Sequence, residues 1–295
     1  MQRQVQFSLF LFFIFSLGAL AQNDSISGIR TEADSLSKKE IRQENKKEAR
    51  LALKNSHERF LINVSTVFAQ LSTEITFETT SSIFAAKIGL ESNLGLPNSK
   101  FFVNASFLWH ITPRSGLYAQ YYGINRSDSY TTDQEYVFLD DTIPAGTSAT
   151  MYFNTRVYST GYLLTIVNDS KAFLGAYFNV FIMGLGSGIL SDMDDYDPEF
   201  TFTAPLPNFG LVMRFELTKW LNLYGQVGFF SLHSNTFGGS LYNLTAGATF
   251  DITRWFGLNI SYKEFDVNVF FPEDNINIIV DYNFRGPSFG ASFVF

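Results

Sequence analysis

The chain ends Ser288-Phe289-Gly290-Ala291-Ser292-Phe293-Val294-Phe295, with apolar residues, three of them aromatic, at alternate positions and mostly small or polar residues between them. A period of two is the signature of a β-strand with two unlike faces. In water such a strand, left with an open edge, is an aggregation hazard. In a closed barrel both edges are paired, and the apolar face can meet lipid. The expectation is an all-β fold, an antiparallel transmembrane up-and-down barrel in which this strand closes against the first.

Working back from that end, the same period reaches Phe60 and predicts ten strands, with eight or twelve as alternatives. They lie near 60–78, 99–112, 115–128, 150–167, 172–188, 206–218, 221–234, 240–252, 256–270 and 276–295. Thr112-Pro113-Arg114-Ser115, Asn168-Asp169-Ser170-Lys171, Thr218-Lys219-Trp220 and Thr253-Arg254-Trp255 read as tight turns. Between them fall segments at 79–98, 129–149, 187–205, 235–239 and 271–275, the first three long. Short turns on one side and long loops on the other match outer-membrane barrels, whose short turns are periplasmic. An even strand number then puts both barrel termini in the periplasm.

One segment resists the pattern. Ile276, Ile278, Val280, Tyr282 and Phe284 are apolar at even positions, whereas Phe289, Ala291, Phe293 and Phe295 are apolar at odd ones. The slip at Arg285-Gly286-Pro287 predicts a bulge, because a turn there would carry the carboxyl terminus to the wrong side.

Alternation assigns the faces. In 240–252, Tyr242, Leu244, Ala246, Ala248, Phe250 and Ile252 point to lipid; in 99–112, Phe101, Val103, Ala105, Phe107, Trp109 and Ile111 do so. Trp109, Trp220 and Trp255 fall beside the proposed periplasmic turns, as an interfacial girdle requires. The predicted lumen set includes Asn63, Gln120, Asn154, Arg156, Asn179, Arg214, Glu216, Asn222, Gln226, Asn259, Asp281 and Asn283. Within it Arg156, Arg214, Glu216 and Asp281 form a candidate charge network, either filling the barrel by mutual pairing or lining a narrow wet path. The filled reading is preferred, since long side chains fill a barrel of this width.

Composition agrees. Aromatic residues make up 17%, with Phe 33 and Tyr 14, while charged residues are also only 17%. No apolar run after Ala21 approaches the roughly 18 residues of a transmembrane helix. There is no cysteine, which excludes disulfides, thiolate metal sites and thiol catalysis. The net charge is -7 and the barrel region is the acidic part, which disfavours nucleic acid as a partner.

Three domains follow from the pattern. Residues 1–21 read as a secretory signal peptide, with Arg3, an apolar run from Val5 to Leu20 and a small-x-small site at Ala19-Leu20-Ala21. Residues 22–59 form a polar lead and then a charged periplasmic helix or linker from Glu32, with Lys38, Arg42, Lys46, Arg50 and Lys54 on one stripe. Cell wall or phospholipid head groups are candidate partners for that helix, and a solvated linker is the plainer reading. Residues 60–295 are the barrel.

Asn93-Leu94-Gly95-Leu96-Pro97-Asn98-Ser99-Lys100, Ile111-Thr112-Pro113-Arg114 and Tyr121-Tyr122-Gly123-Ile124-Asn125-Arg126-Ser127 resemble a family of uncharacterised bacterial outer-membrane barrels. Thr142-Ile143-Pro144-Ala145-Gly146, Thr203-Ala204-Pro205-Leu206-Pro207 and Asp281-Tyr282-Asn283-Phe284-Arg285-Gly286-Pro287 fit it too. The resemblance spans about 60–295, departs at Phe101-Phe102 and His110, and implies fold and location but no activity. It also implies the barrel-assembly machinery as a partner, reading the terminal Phe295.

Candidate chemistry is sparse. The histidines are His57, His110 and His233, with no metal-ligand spacing among them, and no cofactor is expected. Ser231 and His233 share the lipid-facing side near the outer end of their strand, the arrangement an outer-leaflet lipid A hydrolase would need. They lack a third, orienting group, and their order is reversed from the His-x-Ser of lipid A deacylases. Asp192, Asp194, Asp195, Asp197 and Glu199 crowd one loop, a candidate divalent-cation site without the glycine-bearing spacing of an EF-hand. The leading expectation is a non-enzymatic barrel, structural or porin-like with a narrow or plugged lumen. It meets outer-membrane lipids and lipopolysaccharide. The alternatives are the lipid A hydrolase and surface adhesion through the long loops.

Overall fold

The computed structural model describes residues 59–295 except 80–84, 94, 132–135, 139–140, 144–145, 147, 170, 192–198, 234–237 and 274–275. The predicted signal peptide and the charged helix up to residue 58 lie outside the described residues. Thirteen strands follow in order: β1 Phe60–Thr79, β2 Ala85–Gly89, β3 Ser99–Thr112, β4 Ser115–Thr131, β5 Tyr136–Phe138, β6 Asp141–Ile143, β7 Ser148–Asn168, β8 Ala172–Ser191, β9 Glu199–Thr218, β10 Leu221–His233, β11 Gly238–Asp251, β12 Phe256–Glu273 and β13 Ile276–Val294.

Ten of these are long and pair antiparallel in sequence order, and β13 returns to β1 to close the barrel. Closure leaves no open edge in the turn half, which is what the aromatic terminal strand demanded; above Tyr122, β4 pairs only with β7, and β2 only with β1. The seam runs from Leu61↔Val294 to Thr79↔Ile276, and Arg59 N and Phe60 N donate to the Phe295 carbonyl at 2.7 and 2.9 Å. The termini of the barrel and the tight turns therefore share one end, called here the turn end. At the other end, β2 pairs with the upper part of β1, while β5 and β6 form a separate small hairpin.

Two expectations about the loops change. Segment 187–205 is mostly strand, because β8 runs to Ser191 and β9 begins at Glu199. Segments 79–98 and 129–149 contain β2 and the β5–β6 hairpin respectively. The strands outrun the predicted ends because their upper parts alternate with the opposite polarity.

That same reversal accounts for the apparent phase slip, and the predicted bulge is absent. β13 pairs with β12 in unbroken register from Phe256↔Phe293 to Glu273↔Ile276, and with β1 without a shift. The chain keeps its phase; the apolar residues change sides. Val280, Tyr282 and Phe284 are buried inside the barrel, whereas Phe289 and Phe295 are exposed on its wall. Gly286 sits on the inward row where the change occurs. A Cβ there would lie 1.9 Å from the Phe68 carbonyl oxygen, so the backbones meet too closely for any side chain.

The reversal runs around the whole barrel. In the half toward the turns, the wall carries Phe60, Ile62, Val64, Phe68, Phe107, Trp109, Leu117, Leu164, Phe215, Leu223, Phe250, Leu258 and Ile260, all exposed. In the other half the large apolar side chains turn inward. Phe102, Tyr122, Phe153, Phe181, Leu206, Val267, Tyr282 and Phe284 form one buried cluster, with Phe265–Phe284 stacked at 5.4 Å and Phe102–Phe284 edge-on at 5.2 Å.

Candidate functional site

The lumen of the turn half is built of amides and hydroxyls. Asn208 Nδ2 donates to Asn243 Oδ1 at 2.5 Å, and Asn243 Nδ2 reaches Tyr177 Oη at 3.4 Å. Gln120 Nε2 donates to Asn104 Oδ1 at 2.6 Å, and Gln120 Oε1 accepts from Tyr118 Oη at 2.9 Å. Ser292 Oγ takes bonds from Asn63 and Asn259 at 3.2 and 3.1 Å, and Asn222 Nδ2 donates to Asp251 Oδ2 at 2.6 Å. Most of these donors and acceptors are neutral and so avoid the desolvation cost of ions; Asp251 is the charged acceptor among them. Gly228 makes room for it: a Cβ would fall 2.3 Å from Tyr177 Oη and 2.4 Å from Asn208 Oδ1.

Above this network the apolar cluster fills the cross-section, and the connection after β2 folds into the barrel over it. Leu90 and Leu96 are buried, and Leu90 N donates to the Thr73 carbonyl at 2.9 Å. This connection also delivers Glu91, which pairs with Arg126 of β4. Arg126 is 1% exposed; its Nη2 donates to Thr73 Oγ1 at 2.7 Å, and its guanidinium lies 5.1 Å from the Phe153 ring centroid. Thr73 N donates to Glu91 Oε2 at 2.8 Å, so the ion pair is tied to the β1 backbone. A buried pair held by extra hydrogen bonds fixes geometry and costs much to break from one side.

The predicted charge network is not assembled. Arg214 and Glu216 point inward at the turn end, where they line a small recess with Asp169, Lys171, Phe173 and Asn222. Arg156 and Asp281 are on the outer face. Arg156 alternates with buried Thr155 and Val157, and Asp281 with buried Val280 and Tyr282. Asn154 and Asn283 face outward with them. All four misassigned residues lie in the upper half, whereas Asn63, Gln120, Asn179, Asn222, Gln226 and Asn259 lie in the lower half and face the lumen as expected. In the upper half the period of two holds, but the polar residues are on the outside.

On the upper outer wall, Asn268 Nδ2 donates to Asp281 Oδ1 at 2.5 Å, and Lys87 of β2 pairs with Glu74 at 2.6 Å. The Glu74 carboxylate, by hydrogen bond first and by charge second, holds the exposed Lys87 amine above its ordinary pKa. Ser231 is exposed near the outer end of β10 and pairs in register with Ser240; His233 pairs with Gly238, its side chain lying outside the described residues. Of the acidic loop, Asp192, Asp194, Asp195 and Asp197 lie outside the described residues, as does the side chain of Glu199.

The Arg126–Glu91 pair escaped the sequence reading. Arg126 shares the inward phase of Gln120, Tyr122 and Ile124, so parity pointed to it. Nothing in the sequence showed that Glu91 would fold inward to meet it.

No protein-family model and no curated protein matches the chain. Among solved structures it is similar to the outer membrane protease OmpT from Escherichia coli, at 10% identity and a TM-score of 0.49, over 80% of this chain and 97% of that one. It is also similar to the translocator domain of the autotransporter NalP from Neisseria meningitidis, at 9% identity and a TM-score of 0.43, over 86% and 96%. Ail, the attachment invasion locus protein of Yersinia pestis, matches at 10% identity and a TM-score of 0.31, over 78% and 99%.

Proposed function

We propose that this chain is an integral outer-membrane barrel closed to passage, a non-enzymatic structural element whose turn half lies in the bilayer. The upper half stands above the membrane as an apolar-cored rim. The observation that carries this reading is the reversal of polarity at one level of the barrel. A wall that is apolar outside and polar inside suits lipid, and one that is polar outside and apolar inside suits water.

Dimensions support it. β8 has 20 residues. A strand of about 20 residues, tilted about 40°, climbs roughly 50 Å, while the apolar band of such barrels is about 25 Å tall. About half of a strand of that length therefore stands outside the hydrocarbon, and less of β3, β10 and β11, which have 13 or 14 residues. Trp109, Trp220 and Trp255 are exposed beside the turns, and Arg59, Arg114, Lys171, Lys219 and Arg254 place one cation at each turn and at the seam. Such side chains suit head-group depth on the periplasmic side. Phe295 at the seam suits recognition by the barrel-assembly machinery, and outer-membrane lipids are the surroundings of the wall.

Planar-bilayer recording of the refolded full chain tests the closed lumen. The expected record is silent, with folding confirmed by heat-modifiable migration on a gel. Reproducible conductance steps would overturn closure.

A further inference from the structure

One point on the outer wall departs from its surroundings. On β7, Arg156 is exposed and stands between glycines on both flanks, with Gly123 of β4 and Gly184 of β8 as its register partners. With glycine at both register positions, the guanidinium lies in an open groove of about 390 Å³, lined by Val103, Tyr121, Gly123, Asn125, Arg156 and Tyr158, with Tyr121 Oη reaching over Gly123. One row toward the turns, the rings of Tyr121 and Tyr158 meet at 4.8 Å and are both half exposed. One row the other way, the wall becomes polar with Asn125 and Asn154. Arg156 thus marks the boundary between apolar belt and polar rim.

Resting on the membrane reading above, we propose that this groove binds a phosphate of a phosphorylated glycolipid of the outer leaflet, of lipid A chemistry. A guanidinium at the edge of hydrocarbon costs little by itself, and an anion within reach there adds charge-assisted hydrogen bonds. Among the described ion pairs, none includes Arg156. The contrast is Arg285 at the same boundary, which has Glu264 directly across the strand pair. Arg156 has glycines in those places, so no described residue beside it supplies a counter-charge. A planar guanidinium grips two phosphate oxygens at once. The amide of Asn125 and the phenols of Tyr121 and Tyr158 add donors within the same groove, and the two rings offer a face to the sugar and the first acyl carbons. The depth selects the source: the boundary lies on the side away from the turns, where outer-leaflet glycolipid presents its phosphates.

Native mass spectrometry of the full chain in detergent micelles tests this, with equal amounts of bis-phosphorylated lipid A, dephosphorylated lipid A and phosphatidylglycerol as probes. The expected result is one retained bis-phosphorylated lipid A. Arg156→Gln weakens retention at least tenfold, Gly123→Val weakens it comparably by filling the groove with the charge intact, and Arg285→Gln leaves it unchanged. Undiminished retention by Arg156→Gln overturns the site. Equal retention of the dephosphorylated lipid overturns the phosphate, and equal retention of phosphatidylglycerol overturns the glycolipid. Insertion is scored separately, as heat-modifiable folding in phospholipid vesicles free of lipid A. Failure there breaks the membrane reading, whereas an inserted barrel without lipid A selectivity breaks only this site.

Discussion

The two halves of the barrel are made of the same strands, in the same register, and are built on opposite rules. In the turn half, the wall shows Phe60, Leu223 and Ile260 while the interior holds Asn63, Asn208 and Asn243. In the upper half, Asp281 and Asn283 are outside while Val280, Tyr282 and Phe284 are buried. A β-strand specifies only that neighbours face opposite ways; the medium on each side decides which neighbour is apolar. The level at which the rule flips therefore marks where the surroundings of the wall change.

The largest effects should come from the upper core. Phe284→Ala empties a site ringed by Phe102, Tyr122 and Phe265 and should cost about 3–5 kcal/mol in urea unfolding of the vesicle-inserted barrel. Phe289→Ala, on the exposed wall of the turn half, should cost less than half as much. Equal losses would mean that the two halves are not distinct. Next, Glu91→Gln leaves Arg126 buried without its counter-ion and should cost about 3 kcal/mol. It should also speed proteolysis of the inward connection, whereas a double replacement by Leu at both positions should recover part of the loss.

An arginine placed at different depths sharpens the boundary. Ala246→Arg, on the outward face of the lower wall, should cost about 2–4 kcal/mol, while Asn283→Arg above the boundary should cost close to nothing. Similar costs at both would dismiss the belt. Gly286→Ala, forced against the Phe68 carbonyl, should cost about 1–3 kcal/mol by overpacking. The smallest effect is expected at the exposed Lys87–Glu74 pair, where Lys87→Ala should leave the urea unfolding midpoint nearly unchanged.

What could be read in advance follows the same division. Strand number, seam, turns and the inward amides of the lower half were legible because a wall with unlike surroundings on its two faces imposes a strict alternation. The candidate site was legible only in part. Arg156 stood out as a strand charge, but the rule of polar inward sent it to the lumen. Its flanking glycines, Gly123 and Gly184, lie far apart in the chain and become neighbours only through register. The buried Arg126–Glu91 pair was hidden for a similar reason, since an inward-folding connection carries no periodic signal.

By itself, the sequence determined a period of two and ten long closing strands, because those follow from backbone geometry. Only the tertiary structure decided which face is inside at each height. Closing the barrel sets the strands in one register, and that register shows the change of sides to be a single boundary around the wall.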